Sequence, residues 1–249
     1  MPGKRTYITL SDHAKILALI AKLRATGKRV HLDLFCCQGG ASAGFGRAGL
    51  AVLGVDKDPQ PHYPFAFVQA DAVEFLDRYG HLFDSISASP PCQAFTLAQR
   101  IQNNEHPDFI TPTRTLLKEL GRPWVLENVP GSPLLDPVVL CGAMFGLHTY
   151  RHRHFETGGG FAFTAPEHPE HVHPTVKMGR ALKSREDYLK EGQDRGGDWY
   201  HAVGNFQNPA YVRRDLDMPW ATRDGLRECI PPAYSKHIGR QLLAHLLSA

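Results

Sequence analysis

The sequence predicts an α/β fold, a doubly wound parallel-rich sheet with a small loop-rich second region. Three observations predict it. Short apolar strands alternate with helical patterns between residues 29 and 128, strand after strand ends in a polar or reactive residue, and a glycine-rich turn follows the first strand of the series. The 249 residues, 42% apolar and 21% charged, suit one large domain with an appendage. No apolar run approaches the roughly 20 residues that span a bilayer, and no secretory pattern opens the chain. Five cysteines without a CxxC pair argue against a disulfide framework. A cytoplasmic protein is expected. The net charge of +3 permits a polyanionic partner without demanding one.

Each element has a local reason. Ile16, Leu17, Ile20 and Leu23 repeat at helical spacing over Ser11–Thr26, with Ser11 as cap and Gly27 as stop. Residues 29–35 form the first strand, and Ala41–Ala48 can open a helix. Strands follow at Ala51–Val55, ending in Asp56, and at Phe65–Gln69, just before Asp71. Ile86–Ala88 leads into Ser89-Pro90-Pro91-Cys92, and Trp124–Leu126 into Glu127-Asn128; helical patterns cover Asp71–Tyr79 and Thr113–Leu120. Beyond Leu147, the Gly158-Gly159-Gly160 run, Pro166–Pro174 and Gly192–Gly197 mark loops. The expected organisation is 1–147 as the catalytic and cofactor-binding domain, 148–221 as a small second region, and 222–249 as a helical segment returning to the first.

The turn after the first strand, Asp33-Leu34-Phe35-Cys36-Cys37-Gln38-Gly39-Gly40, suits either close approach of a nucleotide or a tight connection. Asp56 and Asp71, at the next strand ends, can accept hydrogen bonds from a ribose and a base, or cap helices. No phosphate-binding GKS or GKT loop is present. At the other end, two prolines present Cys92 rigidly, either as a nucleophile or as an inert thiol. With Glu127 and the guanidinium groups of Arg151 and Arg153, it forms a set suited to adding a nucleophile to an electron-poor ring while an acid protonates the ring nitrogen.

These motifs, in this order, resemble those of the DNA (cytosine-5) methyltransferase family. The resemblance covers most of Val30–Arg153 and returns at Thr222–Leu247. Asp33-Leu34-Phe35 with Gly39-Gly40 resembles the family's opening cofactor motif, Ser89-Pro90-Pro91-Cys92-Gln93 its nucleophile motif, and Glu127-Asn128-Val129 the motif whose glutamate holds the target cytosine. Thr149-Tyr150-Arg151-His152-Arg153 is similar to QxRxR, with Thr149 in place of glutamine. Cys37 replaces the first loop glycine, and Arg227-Glu228 replaces a Gly-Asn pair near the final motif.

The resemblance implies a Rossmann-like class I methyltransferase fold and S-adenosyl-L-methionine as cofactor, leaving as S-adenosylhomocysteine. It implies cofactor contacts from Asp33, Phe35, Gly39, Gly40, Asp56, Lys57, Asp71, Ala72, Ser89 and Pro91. The catalytic group would be Cys92, Glu127, Asn128, Arg151 and Arg153, acting on a flipped cytosine at a short DNA sequence. Alternatives are methylation of tRNA and a non-catalytic DNA-binding homologue. The protein is expected to be a monomer free of membrane and metal, in a prokaryotic, nucleoid-associated or phage-encoded setting.

Recognition is expected in the second region, where eleven lysines and arginines nearly balance ten aspartates and glutamates from His148 to Arg223. DNA contacts are expected from Gln93, Arg151, Lys177, Arg180, Arg213 and Arg214, with Lys183 and Arg185 further candidates. Trp199, Tyr200 and Tyr211 are placed either against bases or in a small core. Cys141, His168, His171 and His173 raise the question of zinc, but their spacing fits no familiar tetrahedral set, so no metal is expected.

Overall fold

A computed structural model describes residues 7–91, 108–176, 179–201 and 206–248. Its elements in chain order are β1 (Ile8–Thr9), α1 (His13–Arg24), β2 (Val30–Leu34), α2 (Gly40–Arg47), β3 (Ala51–Asp56), β4 (Ala66–Gln69), α3 (Ala72–Tyr79), β5 (Ser85–Ala88), α4 (Ile110–Leu120) and β6 (Trp124–Asn128). There follow β7 (Val138–Leu140), β8 (Arg153–Gly158), β9 (Thr175–Val176), α5 (Arg185–Lys190), β10 (Trp199–Tyr200), α6 (Pro209–Asp215), α7 (Arg223–Glu228) and α8 (Pro232–Ser248).

The main sheet runs β1-β4-β3-β2-β5-β6-β8-β7, parallel from β1 to β6 and antiparallel at β8 and β7. Strand order reverses direction at β2, which pairs β3 on one side and β5 on the other. This is the switch point where ligands bind in open α/β sheets. Alternation along β2 explains the two layers. Leu32 and Leu34 join a core with Ile16 and Ile20 of α1, Phe75 and Leu76 of α3, and Leu117 of α4. A second core gathers Phe45 of α2, Val52, Val125, Phe155 and Tyr234, Ile238 and Leu242 of α8. A third, smaller core contains Leu182, Tyr200, Phe206, Tyr211, Val212, Leu216 and Met218.

Small residues bring α2 onto α8. A Cβ on Gly44 would lie 2.6 Å from the Lys236 amide nitrogen, and one on Gly239 would lie 2.8 Å from that of Ala48. Neither helix can shift away without opening the second core.

The structure differs from the sequence expectation in three places. Residues 153–158, assigned to the second region, form an inner strand of the main sheet. The composition Arg-His-Phe-Glu-Thr-Gly hides this strand, because the buried Glu156 is satisfied by distant partners: the Arg114 guanidinium of α4 donates to both its oxygens and the Leu135 amide to one. Helix α4 begins at Ile110, not Thr113, because the Asp108 carboxylate accepts from the Ile110 and Thr111 amides. The single helical stretch expected after Thr222 is two helices, interrupted around Pro231.

Candidate active site

The loop leaving β2 carries left-handed backbone at Phe35 (φ 57°), Cys37 (φ 45°) and Gly39 (φ 82°). Two of these are not glycine, so the surroundings must hold the conformation. The Asp56 carboxylate does so from the end of β3, accepting from the Cys37 amide at 2.9 Å and from the Asp58 amide at 3.0 Å. From the far end of the chain, Gln38 donates to the Thr222 hydroxyl and accepts from the Thr222 amide, each at 2.9 Å, while the Trp220 indole donates to the Gln38 carbonyl at 2.8 Å. Gly39 lies beneath the Tyr63 ring, where a Cβ would come within 2.8 Å of a ring carbon. Cys37, where the family pattern has glycine, thus keeps the backbone that glycine favours.

Asp33 does not line this loop. It is enclosed, accepting from Ser42 and, at 2.8 Å, from Ser87. Ser42 shares a hydrogen bond with Tyr63, and His31 bridges Ser85 and Ser87 through its two ring nitrogens at 2.8 and 2.9 Å. Burial pushes Asp33 up to about 6 and His31 down to about 3, so His31 is neutral near pH 7. The Asp33 carboxylate is thus held by serine hydroxyls inside the sheet layer. Only the alternation of polar and apolar residues in His31-Leu32-Asp33-Leu34 signals this chain of groups in the sequence.

Asp71 caps α3, its Oδ1 accepting from the Val73 and Glu74 amides at 2.9 Å, and the Ala72 side chain belongs to the first core. Lys57 is exposed and Phe35 half-buried. An adenosine-bearing cofactor fits the donor and acceptor set here. The Asp56 carboxylate accepts from two backbone amides and from Gln60, and two carboxylate oxygens offer about four acceptor sites, so one remains able to accept from a diol. Burial raises the Asp56 pKa from its ordinary value.

The second half of the site stands at the ends of β5 and β6. Glu127 is buried and pairs with Arg153, Nε to Oε1 at 3.0 Å. Burial raises its pKa, opposed by Arg153, Arg151 and a hydrogen bond from Ser89. Asn128 donates from Nδ2 to the Pro90 carbonyl at 2.9 Å, tying the Ser89-Pro90-Pro91 segment to the strand that carries Glu127. A small cavity between α2, α8 and these strand ends is lined by Ala41, Ser87, Ser89, Glu127, Ile230 and Ser235. Cys92 and Gln93 lie outside the described residues.

Arg151 points inward, donating to the carbonyls of Cys229 at 3.0 Å and Arg227 at 2.5 Å. Burial lowers its pKa to about 10. These bonds fasten the end of α7 and the residue after it. Thr149 is fully buried, its hydroxyl without a hydrogen-bond partner among the described residues.

In the second region, Tyr200 and Tyr211 are core residues, not exposed wedges. Arg213 is half-buried and donates to the Ala221 carbonyl at 2.6 Å, while Arg214 and Arg180 are exposed and Lys177 lies outside the described residues. Lys183 and Arg185 pair with Glu191 and Asp194. Trp199 is half-buried, stacked between Tyr150 at 4.5 Å and His173 at 4.7 Å. His168, His171 and His173 are exposed on the loop expected at Pro166–Pro174. Cys141, His168 and His171 come together with His152, their ligating atoms all within 4.8 Å, and His173 stands apart on Trp199.

A scan of family models finds no match to the chain, and a search of curated proteins finds none. Solved structures do match. A prophage-encoded E. coli protein assigned as a DNA modification methyltransferase superposes with a TM-score of 0.60 at 17% identity, covering 89% of this chain and 100% of that one. The S. pombe Dnmt2 methyltransferase superposes with a TM-score of 0.50 at 10% identity, covering 89% and 99%. The strand order, the switch point at β2 and these superpositions together give this chain the class I methyltransferase fold.

Proposed function

We propose that the protein is an S-adenosylmethionine-dependent DNA (cytosine-5) methyltransferase. The observation that carries this reading is the lock between Asn128 and the Pro90 carbonyl. It ties the segment leading directly into Cys92 to the strand end bearing a buried glutamate. Asp56 and the amides of the loop after Phe35 would hold the cofactor, whose bound form supplies an electrophilic methyl group. Both structures described above are of proteins named as methyltransferases, one of them for DNA modification.

The chain's own residues have distinct tasks in this reading. The Cys92 thiolate adds to C6 of a cytosine flipped from the stack. Glu127, kept more protonated than an ordinary glutamate by its burial, donates to N3 and withdraws electron density as the S–C6 bond forms. C5 thereby becomes nucleophilic. It would take the methyl group that a bound cofactor supplies; loss of the C5 proton to solvent, expulsion of the Cys92 thiolate and return of the N3 proton to Glu127 then restore the ring. Arg153 orients Glu127 and limits how far its pKa rises.

The expected substrate is a short, frequent DNA sequence, because the second region is small and each bidentate base contact discriminates by only about 1–3 kcal/mol. DNA containing 5-fluorocytosine should trap the protein as a denaturant-resistant adduct when S-adenosylmethionine is present, and Cys92→Ser should abolish it. An adduct with fluorinated tRNA but not DNA would move the substrate to RNA. No adduct with either, from folded protein that binds the cofactor, would remove the covalent mechanism.

A further inference from the structure

Antiparallel register brings two potential metal ligands together at one sheet edge. Leu140 of β7 pairs with Arg153 of β8, so the next pair outward is Cys141 and His152. The loop after β8 then returns to this edge with His168 and His171, in a stretch stiffened by Pro166, Pro169 and Pro174. The ligating atoms are already close. His152 Nε2 lies 3.2 Å from His168 Nε2, and Cys141 Sγ lies 3.4 Å from His171 Nε2. Tetrahedral zinc, with bonds of about 2.0–2.1 Å to nitrogen and 2.3 Å to sulfur, sets its ligand atoms about 3.3–3.6 Å apart.

We propose that Cys141, His152, His168 and His171 bind one structural zinc ion. The donor set is one thiolate and three neutral imidazoles, all from protein, which closes the tetrahedron and leaves no position for a substrate. Packing suits ligation as well. The sulfur stands at the start of a short helical turn, where backbone N–H groups of Ala143 and Met144 fix its position. The His171 ring stacks on Tyr150 at 3.8 Å, fixing its orientation.

The ion would clip a loop without secondary structure to the rim of the main sheet, beside Arg151 and Arg153. Tyr150 extends the clip, since its hydroxyl accepts from the His173 amide at 2.9 Å and its ring stacks on Trp199 of β10. Zinc would thus order the approach to the second region, independently of the reaction proposed above.

Elemental analysis of the purified full-length chain, loaded with zinc and desalted, should find about one zinc per chain. Cys141→Ser and His171→Ala should each lose most of it, and His173→Ala should keep it. Cobalt in place of zinc should give the intense visible bands of a tetrahedral site and a sulfur-to-cobalt charge-transfer band that Cys141→Ser removes. Wild-type protein that retains neither metal would overturn the proposal. So would full stoichiometry in Cys141→Ser and His171→Ala, or loss of the metal from a folded His173→Ala variant. Because the cobalt spectrum is read on wild-type protein, misfolding of a variant cannot rescue the idea.

Discussion

Two glycines in α2, two residues apart, should respond in opposite directions to the same substitution. Gly46 has open surroundings, and a Cβ there would meet nothing nearer than a Phe65 ring carbon at 3.5 Å. Gly46→Ala should therefore stabilise the protein by about 0.5–1 kcal/mol, the helical preference of alanine over glycine. At Gly44 the same methyl would overlap the Ser235 hydroxyl and the Pro232 carbonyl and lie 2.6 Å from the Lys236 amide nitrogen. Two of these three atoms are α8 backbone, so no rotamer change relieves the overlap and the helices must part. Overpacking of this kind costs about 1–3 kcal/mol, which outweighs the propensity gain. The propensity gain is common to both variants, so they should differ by the overpacking cost, about 1–3 kcal/mol, with Gly44→Ala the weaker. Urea denaturation followed by far-ultraviolet circular dichroism measures both. Equal midpoints, or a more stable Gly44→Ala, would refute the close approach of α2 to α8 on which the cofactor loop rests.

Two further outcomes follow from charged pairs. Arg153→Met leaves Glu127 buried without its cation, which should cost about 3 kcal/mol near pH 8. The folded pKa of Glu127, already above its unfolded value of about 4.5, then rises further, so this penalty grows as pH rises above that value and shrinks toward pH 4. Adding Glu127→Gln should recover most of the loss in a double-mutant cycle; no recovery would mean the two side chains are not coupled. His148 donates to Asp215, which raises the imidazole pKa above its ordinary 6.5. Its contribution to stability is therefore complete below about pH 6.5 and fades as pH rises through the folded value. His148→Gln should flatten the pH dependence of the urea midpoint between about pH 6 and 9, and an unchanged slope would assign that dependence elsewhere.

Several parts of this protein were legible in the sequence because they are written in near neighbours. The period of Ile16 and Ile20, the short apolar strands, and the polar stops at Asp56 and Glu127 all act over a few residues, and the parallel sheet follows from their alternation. Asp71 was also readable as a cap, since capping depends only on the next three amides. What tertiary structure decided depends on partners far apart in the chain. The Asp33 carboxylate finds Ser87, 54 residues away, and the Arg151 guanidinium finds the Cys229 carbonyl, 78 residues away. Strand β8 could be recognised only once Arg114, 42 residues earlier, was seen to neutralise Glu156. The histidines changed meaning for the same reason, because the register of β7 on β8 sets Cys141 beside His152 and the returning loop adds His168 and His171. A side chain's chemistry is set by what surrounds it. Local sequence specifies the backbone path, but the surroundings exist only after the path has closed on itself.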